Sequence, residues 1–205
     1  MTVLVRAVQC ESPAVKSGRS DRPTMDVIET VVVAFWAMLP AYVPNNAAVL
    51  FGGGRPIDGG RTWGDSRLLG DGKTWRGTAG GTATGLALAL ALNRLAPTAT
   101  DALGIGLPEF PVVAAFTLSA GAMVGDITAS FIKRRSGRER GAAFPGLDQL
   151  DFVVGALVPT AAFASGWFTE TFTVPVLVVV LVITPLLHVG TNVLAYYLGL
   201  KDEPW

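Results

Sequence analysis

The chain has 205 residues, of which 50% are hydrophobic and 16% charged, and its mean hydropathy of +0.46 lies on the membrane side of the globular average. Its 16 basic residues offset its 16 acidic ones, which removes any bulk electrostatic case for nucleic acid. The single cysteine, Cys10, excludes an intramolecular disulfide and a cysteine-based metal cage.

Residues 1–24 mix Ser, Pro, Lys and Arg and lack the apolar core of about 7–15 residues that a signal peptide carries. They read as a loose N-terminal extension. Met25 directly precedes the first strong apolar segment, so residues 25–205 are expected to form the functional unit, with Met25 as a possible start of translation. Crossing the hydrocarbon core takes roughly 20 apolar residues. Five segments meet or approach that length, at about 26–50, 77–96, 109–132, 151–168 and 174–199, the fourth being the shortest. An unpaired strand edge cannot sit in lipid, so all five are predicted to be helices of an all-α, polytopic membrane protein.

The connections divide by charge. Residues 52–76 carry Arg55, Arg61, Arg67, Lys73 and Arg76, residues 133–149 carry Lys133, Arg134, Arg135, Arg138 and Arg140, and residues 97–108 and 169–173 carry no basic residue. The positive-inside rule therefore predicts that both basic loops are cytoplasmic, with the N-terminus outside and the C-terminus, near Lys201, inside. Arg6, Lys16, Arg19 and Arg22 in the extension pull the other way, but ten basic residues in two loops outweigh them. Gly77, Gly80, Gly81 and Gly85 in the second span, and Ser119, Gly121 and Gly125 in the third, allow close approach of helices.

Carboxylates at bilayer depth are costly unless paired, metal-bound or facing water, which directs attention to Asp126. Asp126, Ser130 and Lys133 stand at i, i+4 and i+7 and share one face near the cytoplasmic end of the third helix. Asp148 and Asp151 stand at i and i+3 where the fourth begins. Brought together, the three carboxylates suit a hard cation such as magnesium, which takes one or two carboxylates, waters and substrate phosphates. Asp148 and Asp151 also fit a plainer role as acids at a helix N-terminus. Gly70-Asp71-Gly72-Lys73-Thr74-Trp75-Arg76-Gly77 is glycine-spaced and leads into a helix, so its amides can approach phosphate while Lys73 and Arg76 neutralise it. It lacks P-loop spacing, and a basic loop at a membrane surface also serves topology and anionic-lipid contact. Asn45 and Asn46 offer donors and acceptors at the end of the first span, whereas His188 and Asn192 at i, i+4 in the last are expected to be structural.

Three blocks together resemble the CDP-archaeol synthase family, relatives of the phosphatidate cytidylyltransferases. The blocks are Pro40-Ala41-Tyr42 through Asn45-Asn46; Pro56-Ile57-Asp58-Gly59-Gly60 with Asp65-Ser66-Arg67 and Gly70 through Gly77; and Gly125-Asp126 through Lys133-Arg134-Arg135, Pro145 and Asp148-Gln149-Leu150-Asp151-Phe152. Of the wider cytidylyltransferase pattern, Ser130-x-x-Lys133-Arg134, Pro145-Gly146 and Asp148-x-x-Asp151 match. The His-Gly-Gly is missing and Glu139-Arg140 replaces a Lys-Asp, departures that favour the archaeal ether-lipid branch. The resemblance implies transfer of a cytidylyl group from CTP to an isoprenoid ether-lipid phosphate, 2,3-bis-O-geranylgeranylglycerol 1-phosphate, at the cell membrane with magnesium as cofactor. It implies Asp126, Asp148 and Asp151 at the metal, Lys73, Arg76, Lys133 and Arg134 at the phosphates, Asn45 and Asn46 near the nucleotide or lipid head, and Asp65, Arg67 and Asp71 supporting the loop. Two other expectations stay open: the same chemistry on an ester lipid, and a small transporter with Asp126 on an ion path. The second predicts internal repeats, which the sequence lacks.

Overall fold

The protein is seen in a computed structural model that describes residues 26–64, 66–137, 146–197 and 199. The N-terminal extension, Asp65, Arg138, Glu139, Arg140, Pro145, the Asn192 side chain and the end of the chain at Lys201 lie outside the described residues. In chain order the elements are α1 (Val27–Leu50), β1 (Thr62–Trp63), β2 (Ser66–Arg67), α2 (Trp75–Leu103), α3 (Val112–Arg135), α4 (Leu147–Phe163), α5 (Ser165–Thr171) and α6 (Val174–Tyr197). The chain is thus mostly helical, as predicted, with one departure: β1 and β2 pair antiparallel as a short hairpin in the first basic loop, Thr62 opposite Arg67 and Trp63 opposite Ser66.

Among the described residues three helices are long and apolar enough to cross a membrane: α1, α3 and the Val174–Thr191 part of α6. α2 and α4, which hold the predicted second and fourth spans, fall short of that measure. α4 has only 17 residues, and α2 spends much of its length on glycine, threonine and alanine. Two boundaries also move. α2 starts at Trp75 under a Thr74 cap that accepts from Gly77 N at 3.1 Å, and it runs through Pro97 to a left-handed Gly104 at φ 66°. α4 starts at Leu147 and breaks at Ala164, so the predicted 151–168 segment joins most of α4 to part of α5.

Small side chains crowd the helix contacts, while many large apolar ones face outward. Ala37, Ala41, Ala89, Ala114, Ala115, Ala122, Ala156, Ser119 and Thr160 are buried, while Phe116, Val124, Val154, Val158, Phe163, Leu181 and Leu186 point outward. Lipid tails solvate large apolar side chains as well as a core does, so small residues gather where helices meet. The tightest contact joins α3 to α4. A Cβ on Gly125 would stand 2.3 Å from the Asp151 carbonyl oxygen, one on Gly121 would stand 2.3 Å from that of Gly155, and one on Gly155 would stand 2.5 Å from the Gly121 oxygen. At the opposite end Asn93 brackets Phe110, donating to its carbonyl at 2.9 Å and accepting from its N–H at 2.7 Å. Trp36 and Trp167 donate to the neighbouring carbonyls of Pro108 and Glu109. Side chains thus satisfy several backbone groups of the non-helical turn between α2 and α3.

Adding one methyl at Gly125 forces the helices apart. Gly125→Ala should lose about 1–3 kcal/mol of stability, read as a lower thermal midpoint in detergent. Gly190→Ala, in α6 with nothing near its would-be Cβ, should leave that midpoint unchanged or slightly raised. Equal midpoints for the two variants would show that the α3–α4 approach is not held by Gly125.

Candidate functional site

The close approach at Gly125 and Asp151 sets the next residue on α3, Asp126, beside the first two turns of α4. Asp126, Asp148 and Asp151 line one cavity of about 470 Å³. Tyr42, Asn45 and Asn46 of α1, Phe152 of α4, and Thr184 and His188 of α6 complete its wall. Its lining combines the carboxylates and asparagines with the apolar side chains of Phe35, Leu39 and Leu187.

Two lysines from different parts of the chain meet these acids. Lys73 donates to Asp126 Oδ2. Lys133, the third member of the Asp126, Ser130, Lys133 face, pairs with Asp148 on α4 instead of with its own helix. Each of these four side chains keeps about a quarter of its surface exposed, so the pairs stand at the edge of solvent rather than sealed from it. Asp148 does not act as an N-cap: Gly146 occupies that position and no side chain bonds there. The Asp151 carboxylate accepts from the N–H of Phe152, and Ser130 donates back to the Asp126 carbonyl at 2.9 Å. Asn45 lends its amide to the cavity wall, and its Oδ1 is buried with no hydrogen-bond partner among the described residues.

The loop that delivers Lys73 is organised by Asp58, a residue to which the sequence reading gives no separate role. Asp58 is buried, at 7% exposure. Its Oδ1 accepts from Gly60 N at 3.0 Å and Arg67 Nη2 at 2.8 Å, and its Oδ2 accepts from Arg67 Nε at 3.2 Å, Leu69 N at 3.1 Å and Gly70 N at 3.1 Å. Five donors on one carboxylate fix the charged form. The Arg67 guanidinium above all, with the three backbone amides, holds the Asp58 carboxyl well below the usual carboxylate range, and Asp58 in turn raises Arg67. Asp71, exposed, accepts from Arg67 Nη1 at 2.8 Å. The available signal was Asp58-Gly59-Gly60, since an aspartate before glycines tends to bond its own backbone two residues on. Beyond this knot, Lys73 N donates to Gly70 O at 3.3 Å and Lys73 O accepts from Ile57 N at 2.8 Å.

Most of the sequence-predicted residues therefore converge. Asn45, Asn46, Asp126, Asp148 and Asp151 share the cavity, Lys73 and Lys133 pair with its acids, and Arg67 and Asp71 support the loop. The Arg134 guanidinium lies over Gly70, 3.5 Å from where a Cβ would be. Arg76 stands apart, exposed on the first turn of α2. Among the described residues no three His, Cys, Asp or Glu side chains cluster tightly enough to hold a metal by themselves. The oxygen donors fit magnesium only in the form in which substrate phosphates and waters complete its shell. Tyr42 and Thr184, joined at 2.9 Å between α1 and α6, are a further pair at this cavity that the sequence reading passes over.

Asp151 also borders a second space. A groove of about 1010 Å³ runs between α3 and α4, lined by Phe116, Val124, Ile132, Leu150, Val154, Val158 and Phe163 among others, with Asp151 and Gly146 toward one end.

Residues 26–205 match the family described as CarS-like, CDP-archaeol synthase. The CDP-archaeol synthase of Halobacterium salinarum is 70% identical over 181 residues, covering 88% of this chain and all of that protein. That of Halorubrum lacusprofundi is 71% identical over 85% of this chain and 97% of its own length, and that of Methanococcoides burtonii is 48% identical over 82% of this chain and all of its own. A solved structure of an intramembrane enzyme for archaeal membrane lipids biosynthesis is 34% identical, with a TM-score of 0.61, covering 80% of this chain and 94% of that one.

Because the Asp58 carboxyl titrates below its unfolded value, its contribution is complete above about pH 4 and is lost only as the pH falls further, through its depressed folded value. Between pH 7 and pH 5, corrected amide-exchange protection of Leu69 and Gly70 should not change. Asp58→Asn should cost about 1–3 kcal/mol of local order and speed their exchange roughly tenfold or more. Unaltered protection in the variant would rule out Asp58 as the organiser.

Proposed function

The chain belongs to the CDP-archaeol synthase family, an enzyme that forms CDP-archaeol in archaeal lipid biosynthesis, and from that premise we propose how its own residues carry out the transfer. CTP is the cytidylyl donor and an unsaturated ether-lipid phosphate bearing two geranylgeranyl chains is the acceptor. A phosphate oxygen of the lipid attacks the α-phosphorus of CTP, the bond from that phosphorus to the bridging oxygen breaks, and pyrophosphate leaves. The lipid phosphate is itself the nucleophile, so the protein's task is to align two polyanions and offset their repulsion.

The observation that carries this reading is the exchange the two ion pairs make possible. Before substrate binds, Lys73 neutralises Asp126 and Lys133 neutralises Asp148. Leaving a partly buried charge without its partner is costly. A polyphosphate arriving with its cation offers a new partner to both sides at once: anionic oxygens for Lys73, Lys133, Arg134 and Arg76, and positive charge for Asp126, Asp148 and Asp151. The resting pairs hold each group near its working position at a net charge of zero. Magnesium held by these carboxylates and the substrate phosphates would stabilise the charge that builds on the leaving pyrophosphate. Asn45, whose buried Oδ1 has no partner among the described residues, and Asn46 orient the nucleotide or lipid head, Arg67 and Asp71 support the loop, and Asp65 is assigned to the same role by its place in the sequence.

The groove supports the lipid side of the reading. Isoprenoid chains lying along its α3–α4 wall would set their phosphate next to Asp151, which borders both groove and cavity. We place the protein in the cell membrane with five spans, α2 and α4 crossing with α1, α3 and α6. Both basic loops then face the cytoplasm, where CTP is found, with the N-terminus outside and the C-terminus inside. Short or glycine-rich α4 and α2 are tolerable there because they pack against other helices.

Purified protein with labelled CTP and magnesium should incorporate label into lipid chiefly with the ether-lipid phosphate, less with phosphatidate, and not without lipid. Asp126→Asn should lower turnover by roughly 10²–10³ and shift the magnesium requirement upward, on the scale of losing one group that stabilises developing charge. Wild-type turnover with an unchanged magnesium titration would remove Asp126 from the metal. Lys73→Ala should raise the KM for CTP more than that for the lipid, and an equal rise in both would argue against a nucleotide-phosphate role.

A further inference from the structure

Lys133-Arg134-Arg135 looks in sequence like one patch of positive charge, yet the three side chains end in different places. Lys133 pairs with Asp148, and Arg134 lies over Gly70. Arg135 turns to the hairpin, where among the described residues its partners are backbone carbonyls: Nη1 donates to that of Trp63 at 2.7 Å, and Nη2 to those of Ser66 at 3.3 Å and Arg67 at 3.2 Å. Its guanidinium carbon also sits 5.4 Å from the centre of the Trp63 ring and 5.8 Å from that of Phe131. Phe131 lies one helical turn back on α3, and the two rings stand 6.4 Å apart. The planar fork is therefore held by an aromatic ring from each of the two elements it joins.

From the hairpin the bonding is continuous to Lys73. Arg67, whose carbonyl accepts from Arg135, sends its side chain to Asp58; Asp58 fixes Leu69 and Gly70; the Gly70 carbonyl accepts from Lys73 N; and Lys73 reaches Asp126. Arg135 and Asp126 are nine positions apart on α3, about 13 Å along its axis. The loop is thus fastened to one rigid helix at both ends of its working stretch. We propose that Arg135 is a positioning residue that sets the reach of Lys73, without touching CTP or lipid itself.

The inference rests on the nucleotide-phosphate role given to Lys73 above. Its test separates geometry from charge. Arg135→Lys keeps the positive charge but loses the fork, since one ammonium group cannot span three carbonyls in this plane. If Arg135 acts by holding the loop, Arg135→Lys should raise the KM for CTP roughly tenfold, on the scale of one charge-assisted contact, with little change in the KM for lipid. It should also speed amide exchange at Leu68, Leu69 and Gly70. In a cycle with Lys73→Ala, the double variant should be no worse than Lys73→Ala alone, because both remove the same interaction. A charge-preserving variant with parental kinetics would mean that positive charge, not placement, is what position 135 supplies. Losses that multiply in the double variant would overturn the coupling to Lys73 while leaving the Lys73 role intact. A silent Lys73→Ala would overturn both. Should Arg135→Lys yield too little folded protein, Arg135→Gln, a planar amide that can still donate to one carbonyl, answers through the same cycle.

Discussion

Where α3 crosses α4, nothing but hydrogen atoms lies between the two backbones. Gly121, Gly125 and Gly155 face carbonyls that no side chain could approach so closely. In water such a contact would be a poor use of a helix face, since glycine buries little apolar surface. In lipid there is no such gain to forgo, and close packing with small residues becomes the main source of helix association. The grouping of the site's carboxylates depends on that contact, because Asp126 follows Gly125 and Asp151 is the very residue whose carbonyl Gly125 admits. The spacing of the carboxylates is a by-product of how near the helices can come.

Electrostatics then follow from placement. Two acids on facing helices repel each other, and each is answered by a lysine that comes from outside its own helix. The solution is asymmetric. Lys133 is carried by the same α3 that bears Asp126 and crosses to α4, so that pair also ties the two helices. Lys73 comes from a loop with almost no regular structure, and such a loop would pay a large entropic penalty to hold one amine still. The Asp58 knot, the hairpin and the clamp at Arg135 lower that penalty by fixing the backbone before any substrate is present.

The helical character, the small-residue seam, and the three carboxylates and two asparagines of the cavity were legible in the sequence. Apolar length, charge placement and helical spacing are local properties, and they act even without tertiary context. What lay beyond reach was pairing. Spacing on α3 puts Asp126 and Lys133 on one face, but only the fold shows that Lys133 answers Asp148 while Lys73 answers Asp126. Asp58 was hidden for a related reason: three of its five donors are backbone amides, which have no identity in a sequence, and the other two come from Arg67, nine residues away. Helix ends moved because Pro97 sits within α2 without ending it and because Ala164, an ordinary helix former, is where α4 breaks. The run of Lys133, Arg134 and Arg135 shows the same limit, since adjacent residues on a helix point about 100° apart.

The groove between α3 and α4 carries one more consequence. Its walls include side chains such as Phe116, Val124, Val158 and Phe163 that also face outward, so with α3 and α4 in the membrane as proposed its mouth would open sideways into the bilayer. An acceptor that arrives by this route travels in two dimensions, and the quantity that fills the site is its mole fraction among the surrounding lipids. CTP is counted per litre; the lipid is counted per unit area. The rate would then fall when inert lipid is added at fixed total substrate, as surface dilution, and it would respond to the fluidity and packing of the membrane around the protein. For such an enzyme the bilayer is solvent and supply line together.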